Sequence, residues 1–560
     1  MMMRMFCLGL ALAASQAAAL RPGGSRYPSK AEAVEAFPDA SGDKASATAT
    51  YYPRIKAYNM SVPIDHFHNE SKYEPHSADV FDLRYWVDMS HYKKGGPVVI
   101  LHSGEFSSEG RLPYLDHGIA FILAKATQGV GIVLEHRYYG TSWPTSNATT
   151  ASYRFLTTDQ ALADTAFFSK NLKIPGHEDL NLTASDTPHI LYGGSYAGGL
   201  VAFARKLYPD VFWGAISSSG VTVAIDDFWQ YHEATRRYAP GDCAAITQKL
   251  TAIIDHPFLH GDPEDKSTTK MLFGLEDLQD DEFASYLADQ LPSLQETNWD
   301  PALDGLGLGT YCAIITTSSP MFKSTEYLMP SVKYLVDEAG YADDSKRLTT
   351  RMLNYIAYIK DKIRSDKSRC TSKKTRECLS IRFAKNTTEI NDDSWQRSWL
   401  YQTCTEWGYF IGGASTPKDR LAMVSRVLTP EFASYACKTL FGIETRPSVD
   451  NINKHGGFNF SYPRVALIDG AEDPWRSAGV HADGLPSRNS TLSEPFLLLD
   501  WGVHHWDENG PAEPDPRGSQ WSMQPENIKK VQRVEVEIVK SWVKEFEQSG
   551  RSSHASSSEL

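Results

Sequence analysis

Ser195 stands in the run Ile190-Leu191-Tyr192-Gly193-Gly194-Ser195-Tyr196-Ala197-Gly198-Gly199, an apolar stretch that passes through glycines into a helical pattern. A serine hydroxyl is inert at its own pKa. It becomes a nucleophile when a base takes its proton and a carboxylate holds that base in place. Both partner types occur far downstream, each after a short apolar run. Val465 to Ile468 leads into Asp469-Gly470-Ala471-Glu472-Asp473-Pro474-Trp475, and Phe496 to Leu499 leads into Trp501-Gly502-Val503-His504-His505-Trp506-Asp507. Asp473 is the candidate acid: Asp469 is too close to the end of its run, and Glu472 precedes the Asp-Pro-Trp turn that would fix the carboxylate after it. Of the adjacent His504 and His505 only one can face Ser195, and the pattern leaves the choice open. Such a set performs acyl transfer through a covalent intermediate.

The elements that must position these groups follow from the same pattern. A buried strand, a tight turn and a helix lift a serine above a sheet edge, and small neighbours let strand and helix approach. Gly193 and Gly198 serve that need, while Ala197 stands where the strict Gly-x-Ser-x-Gly pattern has its second glycine. The order Ser, Asp, His along the chain is that of α/β-hydrolases. The oxyanion hole requires two backbone N–H groups: Tyr196, directly after the nucleophile, and Gly104, in His102-Ser103-Gly104-Glu105 after an early apolar run. Glu105 is either an ordinary loop carboxylate or, if it points into the cleft, a group that binds a substrate amine or holds the site together.

Short apolar runs at Val98–Leu101, Ile132–Leu134, Ile190–Tyr192, Ala215–Ile216, Val465–Ile468 and Phe496–Leu499 read as buried strands. Helical patterns at Asp159–Asn171 and Leu200–Tyr208 lie between them, so a parallel sheet with crossover helices is expected. A final helix at about Glu526–Glu547 carries Ile528, Val531, Ile538, Trp542 and Phe546 on one stripe and would close the sheet. The segment 224–440 differs, with helical patterns at Lys333–Glu338 and Leu348–Ile363 and nearly all of the cysteines. The expected organisation is therefore an α/β-hydrolase domain in two parts, 51–223 and 441–548, interrupted by a mostly helical, disulfide-stapled cap at 224–440.

The ends read differently. A basic start, the apolar run Phe6–Ala14 and small residues to Ala19 form a signal peptide at 1–19 rather than a span, which needs about 20 apolar residues. A flexible leader or propeptide at 20–50 follows, and a disordered tail occupies 549–560. Export agrees with the cysteines. Beyond Cys7 they number six, and short loops favour Cys370 with Cys378 and Cys404 with Cys437. Sequons at Asn59, Asn69, Asn147, Asn181, Asn386, Asn459 and Asn489 fit a glycoprotein. No Cys-x-x-Cys spacing occurs, and no metal or cofactor is expected. The net charge of -13 excludes a nucleic-acid partner.

With these residues in view, the chain resembles the serine peptidases that include lysosomal Pro-X carboxypeptidase, lysosomal dipeptidyl peptidase and secreted fungal prolyl peptidases. The resemblance spans roughly residues 50–547. It rests on Glu135-His136-Arg137-Tyr138-Tyr139-Gly140-Thr141-Ser142-Trp143-Pro144, Phe155 to Asp164, Gly193-Gly194-Ser195-Tyr196, Gln402-Thr403-Cys404-Thr405-Glu406, Asp473-Pro474-Trp475 and Gly502-Val503-His504-His505, in that order. It implies a helical cap over the site and cleavage after proline in peptides, often at acidic pH. It assigns Ser195 as nucleophile, Asp473 as orienting acid and His505 as base. Trp475 becomes the wall of a proline-sized pocket, with Glu105 and Glu406 counted among the substrate-binding residues. The expected partners are peptides or proteins, with no membrane span and with a homodimer open as an assembly. The expected location is extracellular, or lysosomal or vacuolar. Two other functions compete: an esterase or lipase on the same fold, and a catalytically dead binding glycoprotein. Cutting mode, substrate and oligomeric state are not written in the sequence.

Overall fold

A computed structural model of the chain describes residues 52–300, 303–305, 307–510 and 524–550. The signal peptide, the leader and all but the first two residues of the tail expected from the sequence lie outside these.

Eight strands form one sheet: β1 (Ile55–Pro63), β2 (Val80–Asp88), β3 (Val98–His102), β4 (Val130–Leu134), β5 (His189–Gly194), β6 (Phe212–Ser218), β9 (Val465–Gly470) and β10 (Phe496–Leu499). Their spatial order is β1-β2-β4-β3-β5-β6-β9-β10. The β1–β2 and β2–β4 pairings are antiparallel and the rest parallel. Every residue of β3, β4, β5, β6 and β9 is buried. Covered on both faces, such strands read as unbroken apolar runs. The order and directions, with the turn at Ser195 described below, are those of an α/β-hydrolase.

The register decides where chemistry can occur. Gly194 pairs with Ser218, Ser218 with Ile468, and Leu499 with Gly470, so the carboxyl ends of β5, β6, β9 and β10 lie side by side. Loops leaving these ends converge on one crevice, the usual ligand site of an open parallel sheet.

Six helices matter to the argument: α1 (Thr158–Asn171), α2 (Tyr196–Leu207), α3 (Cys243–His260), α4 (Ser345–Ser368), α5 (Ser394–Gln402) and α6 (Glu526–Gln548). α6 buries Ile528, Val531, Ile538, Trp542 and Phe546 against the sheet. Gly214 of β6 makes room for it, since a Cβ there would lie 2.4 Å from the Trp542 ring.

Between β6 and β9 the chain leaves this sheet. It contributes only a two-stranded parallel pair, β7 (Ile225–Asp227) and β8 (Gly408–Phe410). This long excursion packs in two ways. Its first part builds its own core, with Ile253, Phe273, Leu348, Met352, Ile356 and Ile359 fully buried together. Its second part, with Trp399, Trp407, Tyr409 and Phe410, joins the core of the sheet. All three disulfides lie in the excursion: Cys243–Cys312, Cys370–Cys378 and Cys404–Cys437. No helix among the described residues is long and apolar enough to cross a membrane.

Candidate active site

Ser195 sits between the end of β5 and the start of α2 with φ 60° and ψ -128°. A non-glycine residue in that region is strained, and the neighbours hold it there. Its N–H donates to the Ser218 carbonyl at 2.9 Å. Close approach leaves no space for larger side chains, because a Cβ on Gly193 would meet the Ala197 carbonyl oxygen at 2.3 Å and one on Gly198 the Gly220 Cα at 2.7 Å. The methyl of Ala197 fits in this turn.

His504 lies between the acid and the serine. Its Nδ1 is 2.9 Å from Asp473 Oδ2, and its Nε2 is 2.8 Å from Ser195 Oγ. Because a carboxylate can only accept, Nδ1–H donates to Asp473, which leaves Nε2 to accept the serine proton. Burial pushes the Asp473 carboxyl upward. The facing His504 ring and hydrogen bonds from Ser219 and the Trp475 N–H outweigh that and hold it below the ordinary aspartate value. Asp473 therefore stays ionised where the base needs an anion.

The expectation that His505 is the base is corrected by this geometry. His505 adopts φ 39°, a left-handed conformation that turns its ring away from its neighbour's direction. Its Nδ1 lies 2.9 Å from Glu508 Oε2, and its N–H donates to Ser219 Oγ. The ring packs beneath the elbow, where a Cβ on Gly194 would come within 3.2 Å of the His505 Cγ.

A second correction concerns the oxyanion hole. Tyr196 opens α2, so its N–H has no partner within the helix and remains available. The Gly104 N–H is already given to His102 Nδ1 at 3.1 Å. The neighbouring Glu105 instead enters the cleft: it is 3% exposed, it lines the same pocket as Ser195, and its Oε2 has no hydrogen-bond partner among the described residues. Burial raises its carboxyl above the ordinary glutamate value despite nearby Arg111.

Trp475 also lines that pocket, with Tyr196, Val221, Gln295, Trp399 and Tyr409. Its indole stacks on Phe228 with centroids 5.4 Å apart and meets Tyr409 edge-on at 4.9 Å. Gln295, from the long excursion, closes the roof. Its Oε1 accepts from Trp475 Nε1 at 2.6 Å and from the Tyr231 hydroxyl at 2.8 Å. The cavity measures about 10 Å³, room for about one water.

Glu406 is not brought to this pocket. Its Oε2 accepts the Thr158 N–H and hydroxyl, both at 2.9 Å, at the start of α1, and burial raises its carboxyl above the ordinary value. The expected substrate contact is thus a buried tie between α1 and the excursion. Gln295, Trp399 and Tyr409 belong to no pattern readable along the chain, and only the fold collects them.

Beneath the elbow lies a further acidic group. Asp507 accepts from the Tyr192 hydroxyl at 2.8 Å and from the Ser218 hydroxyl at 2.5 Å, beside Glu535 of α6, which is 0% exposed. Burial raises both carboxyls, Glu535 well above its ordinary value.

A serine, a histidine and an aspartate in hydrogen-bonded sequence on this fold are the arrangement expected of a serine hydrolase. Comparison with known proteins gives the class. Residues 62–519 match the model of the family described as serine carboxypeptidase S28, and the chain belongs to that family of serine peptidases. It is 45% identical over 493 residues to a probable extracellular serine carboxypeptidase of Arthroderma benhamiae, covering 87% of this chain and 68% of that one. It is 28% identical over 461 residues to the serine protease vicPb of Bipolaris victoriae, covering 79% and 82%. It is 28% identical over 456 residues to the thymus-specific serine protease of Mus musculus, covering 78% and 81%. Among solved structures, a peroxisomal α/β-hydrolase of Saccharomyces cerevisiae aligns over 87% of this chain and 90% of its own at a TM-score of 0.32 and 12% identity, too distant to argue from.

Proposed function

We propose that this peptidase cleaves peptide bonds after proline through an acyl-enzyme on Ser195, with His504 as general base and Asp473 as its orienting acid. The observation that carries the reading is the continuous hydrogen-bonded line from Asp473 through His504 to Ser195, opening beside a small aromatic pocket. His504 takes the serine proton as the hydroxyl attacks the carbonyl, then returns it to the leaving amine, and water repeats the cycle to release the acid product. The indole of Trp475 offers a flat apolar wall to a pyrrolidine ring once the Gln295 side chain bonded to it moves aside, since the closed cavity holds about one water.

Oxyanion stabilisation falls to the Tyr196 N–H and to Glu105. When protonated, the Glu105 carboxyl can donate its O–H to the developing negative charge; when ionised, it repels that charge. Its raised value keeps it protonated on the acidic side, so activity is highest in acid and falls as pH rises through that value. Export belongs to the same reading, supported by the N-terminal signal pattern and by a relative named as extracellular.

Digestion of a proline-containing peptide library in acid, with products read by mass spectrometry, tests the proposal and also assigns the exo or endo mode. New carboxyl termini ending in proline are expected. Hydrolysis of simple acyl esters with no peptide cut after proline would overturn it in favour of an esterase.

A further inference from the structure

The loop 64–79 joins β1 to β2 and carries three histidines, His66, His68 and His76, close to Asp65. They are not equivalent. His66 is committed, with its Nε2 2.8 Å from Asp164 Oδ1. Asp164 is in turn gripped by the Arg137 guanidinium through both carboxylate oxygens, at 2.5 and 2.6 Å. That group has its full set of partners and a permanent cation.

The neighbouring group is built differently. The Asp65 carboxylate is fully buried, yet its only ion-pair partner among the described residues is the imidazole of His76, whose Nδ1 lies 2.7 Å from Oδ2. Oδ1 accepts the Phe67 N–H at 2.9 Å and the Gln160 side-chain amide at 2.8 Å. Burial raises this carboxyl, but these bonds and the facing imidazoles outweigh that and keep it below the ordinary aspartate value, so Asp65 is held as an anion with no permanent cation such as Arg137 beside it. His68 adds a second imidazole. It is exposed, none of the hydrogen bonds above involves its ring, and that ring stands 5.7 Å from that of His76. Asp65, His68 and His76 can each present one ligand atom, and the three atoms lie within 4.8 Å of one another.

We infer that Asp65, His68 and His76 form a binding site for a divalent cation of the zinc class. Two imidazole nitrogens and one carboxylate oxygen suit zinc and its neighbours, with water completing the coordination. They do not suit magnesium, which asks for six oxygens. Rotation of the exposed His68 side chain draws its nitrogen in to the bond lengths of about 2.0–2.2 Å that zinc requires. The cation supplies the positive charge that Asp65 lacks. It also ties the β1–β2 loop to α1, because Asp65 is bonded to Gln160 of that helix. The spacing Asp-x-x-His with a distant His76 matches no common zinc signature, so only the folded loop reveals it.

The test uses the whole chain, expressed without a polyhistidine tag and stripped with a chelator, and titrated with zinc chloride by calorimetry near neutral pH. Uptake of one equivalent is expected, with a rise in melting temperature, and magnesium chloride should give neither. His68→Ala removes an exposed side chain whose ring, among the described residues, meets only that of His76; it should fold normally, keep peptidase activity and lose at least about tenfold in zinc affinity. His76→Ala should do the same or more. Absence of zinc uptake by the native chain, equal uptake of magnesium, or undiminished zinc affinity in both folded variants would overturn the inference.

Discussion

The sheet that carries Ser195 and the long excursion that roofs it are held together by different means. The sheet has no covalent cross-link: buried strands in fixed register bring the ends of β5, β6, β9 and β10 together, and the reacting groups follow from that register. The excursion holds all three disulfides and, in its first part, a separate core. It sends Gln295 down to the pocket. The contrast teaches that the place of Ser195 and the lining of its pocket have different origins: one is set by backbone pairing, the other in part by side chains of a stapled layer.

The largest effect tests the sheet side. His504→Ala should lower kcat by about 10⁴-fold or more, as loss of a triad base does. His505→Gln should cost far less, because that ring supports the elbow without touching the serine. Steady-state kinetics on a prolyl peptide compare them; equal losses would erase the distinction between the two histidines.

Next comes Glu105, at the seam of the two regions. Glu105→Gln keeps a hydrogen-bond donor at every pH, so it should retain most of its activity at the acid optimum and hold it into the neutral range, whereas Glu105→Ala, which removes the donor, should lose about a hundredfold. A pH–rate profile reads this directly. An unchanged alkaline limb would remove Glu105 from the oxyanion hole.

The third prediction concerns the excursion alone. Burial pushes the Asp255 carboxyl of α3 from 3.8 up to about 6, although it accepts bonds from the Ser425 hydroxyl and the Arg426 N–H. Within that window the folded chain keeps a proton that the unfolded chain releases, so stability is full below it and is lost as pH rises through it. The loss is about 3 kcal/mol. Denaturant titrations below and above the window should show it, and Asp255→Asn should abolish it while leaving the triad's own pH dependence in place.

The smallest effect is at the roof. Gln295→Ala removes the acceptor shared by Trp475 and Tyr231, and should change KM by up to about tenfold with kcat nearly constant. A matching change in tryptophan fluorescence would locate the effect at Trp475.

The same contrast explains what could be read along the chain. The six apolar runs all fall inside strands; five lie in strands buried throughout, which write their burial as unbroken hydrophobicity, while the sixth is the half-exposed edge strand β10. β1 and β2 gave no such run, since exposed and buried positions intermingle in both. A strand, a turn and an Asp-Pro-Trp sequence pointed to Ser195 and Asp473, which the fold brings to the two sides of one histidine. Which histidine lies between them was not legible: His504 and His505 differ in backbone conformation, and a left-handed φ on histidine leaves no mark in the residue order. Gly104 was well placed but its N–H was taken by His102, two residues away, a competition that needs coordinates to see. The pairings Cys370–Cys378 and Cys404–Cys437 followed from short loops, whereas Cys243–Cys312 spans 69 residues and follows from the packing of the first part of the excursion. Glu406 and Gln295 exchanged roles for the same reason. A motif glutamate became a helix tie, and a glutamine from a segment without motifs reached the pocket beside Ser195.

The carboxyls of Glu105, Glu406, Asp507 and Glu535 are all buried and all raised above their ordinary values by that burial. In mass-action terms the proton is a ligand of the native state, bound more tightly there than by the unfolded chain. Unfolding in a mildly acidic solution therefore releases protons to the solvent, and the heat of unfolding should vary with the ionisation enthalpy of the buffer that receives them. One of these groups, Asp507, is bonded to Tyr192 of β5, the strand that leads into Ser195, so the acidity of the surroundings acts as a filling pressure on the scaffold of that serine itself.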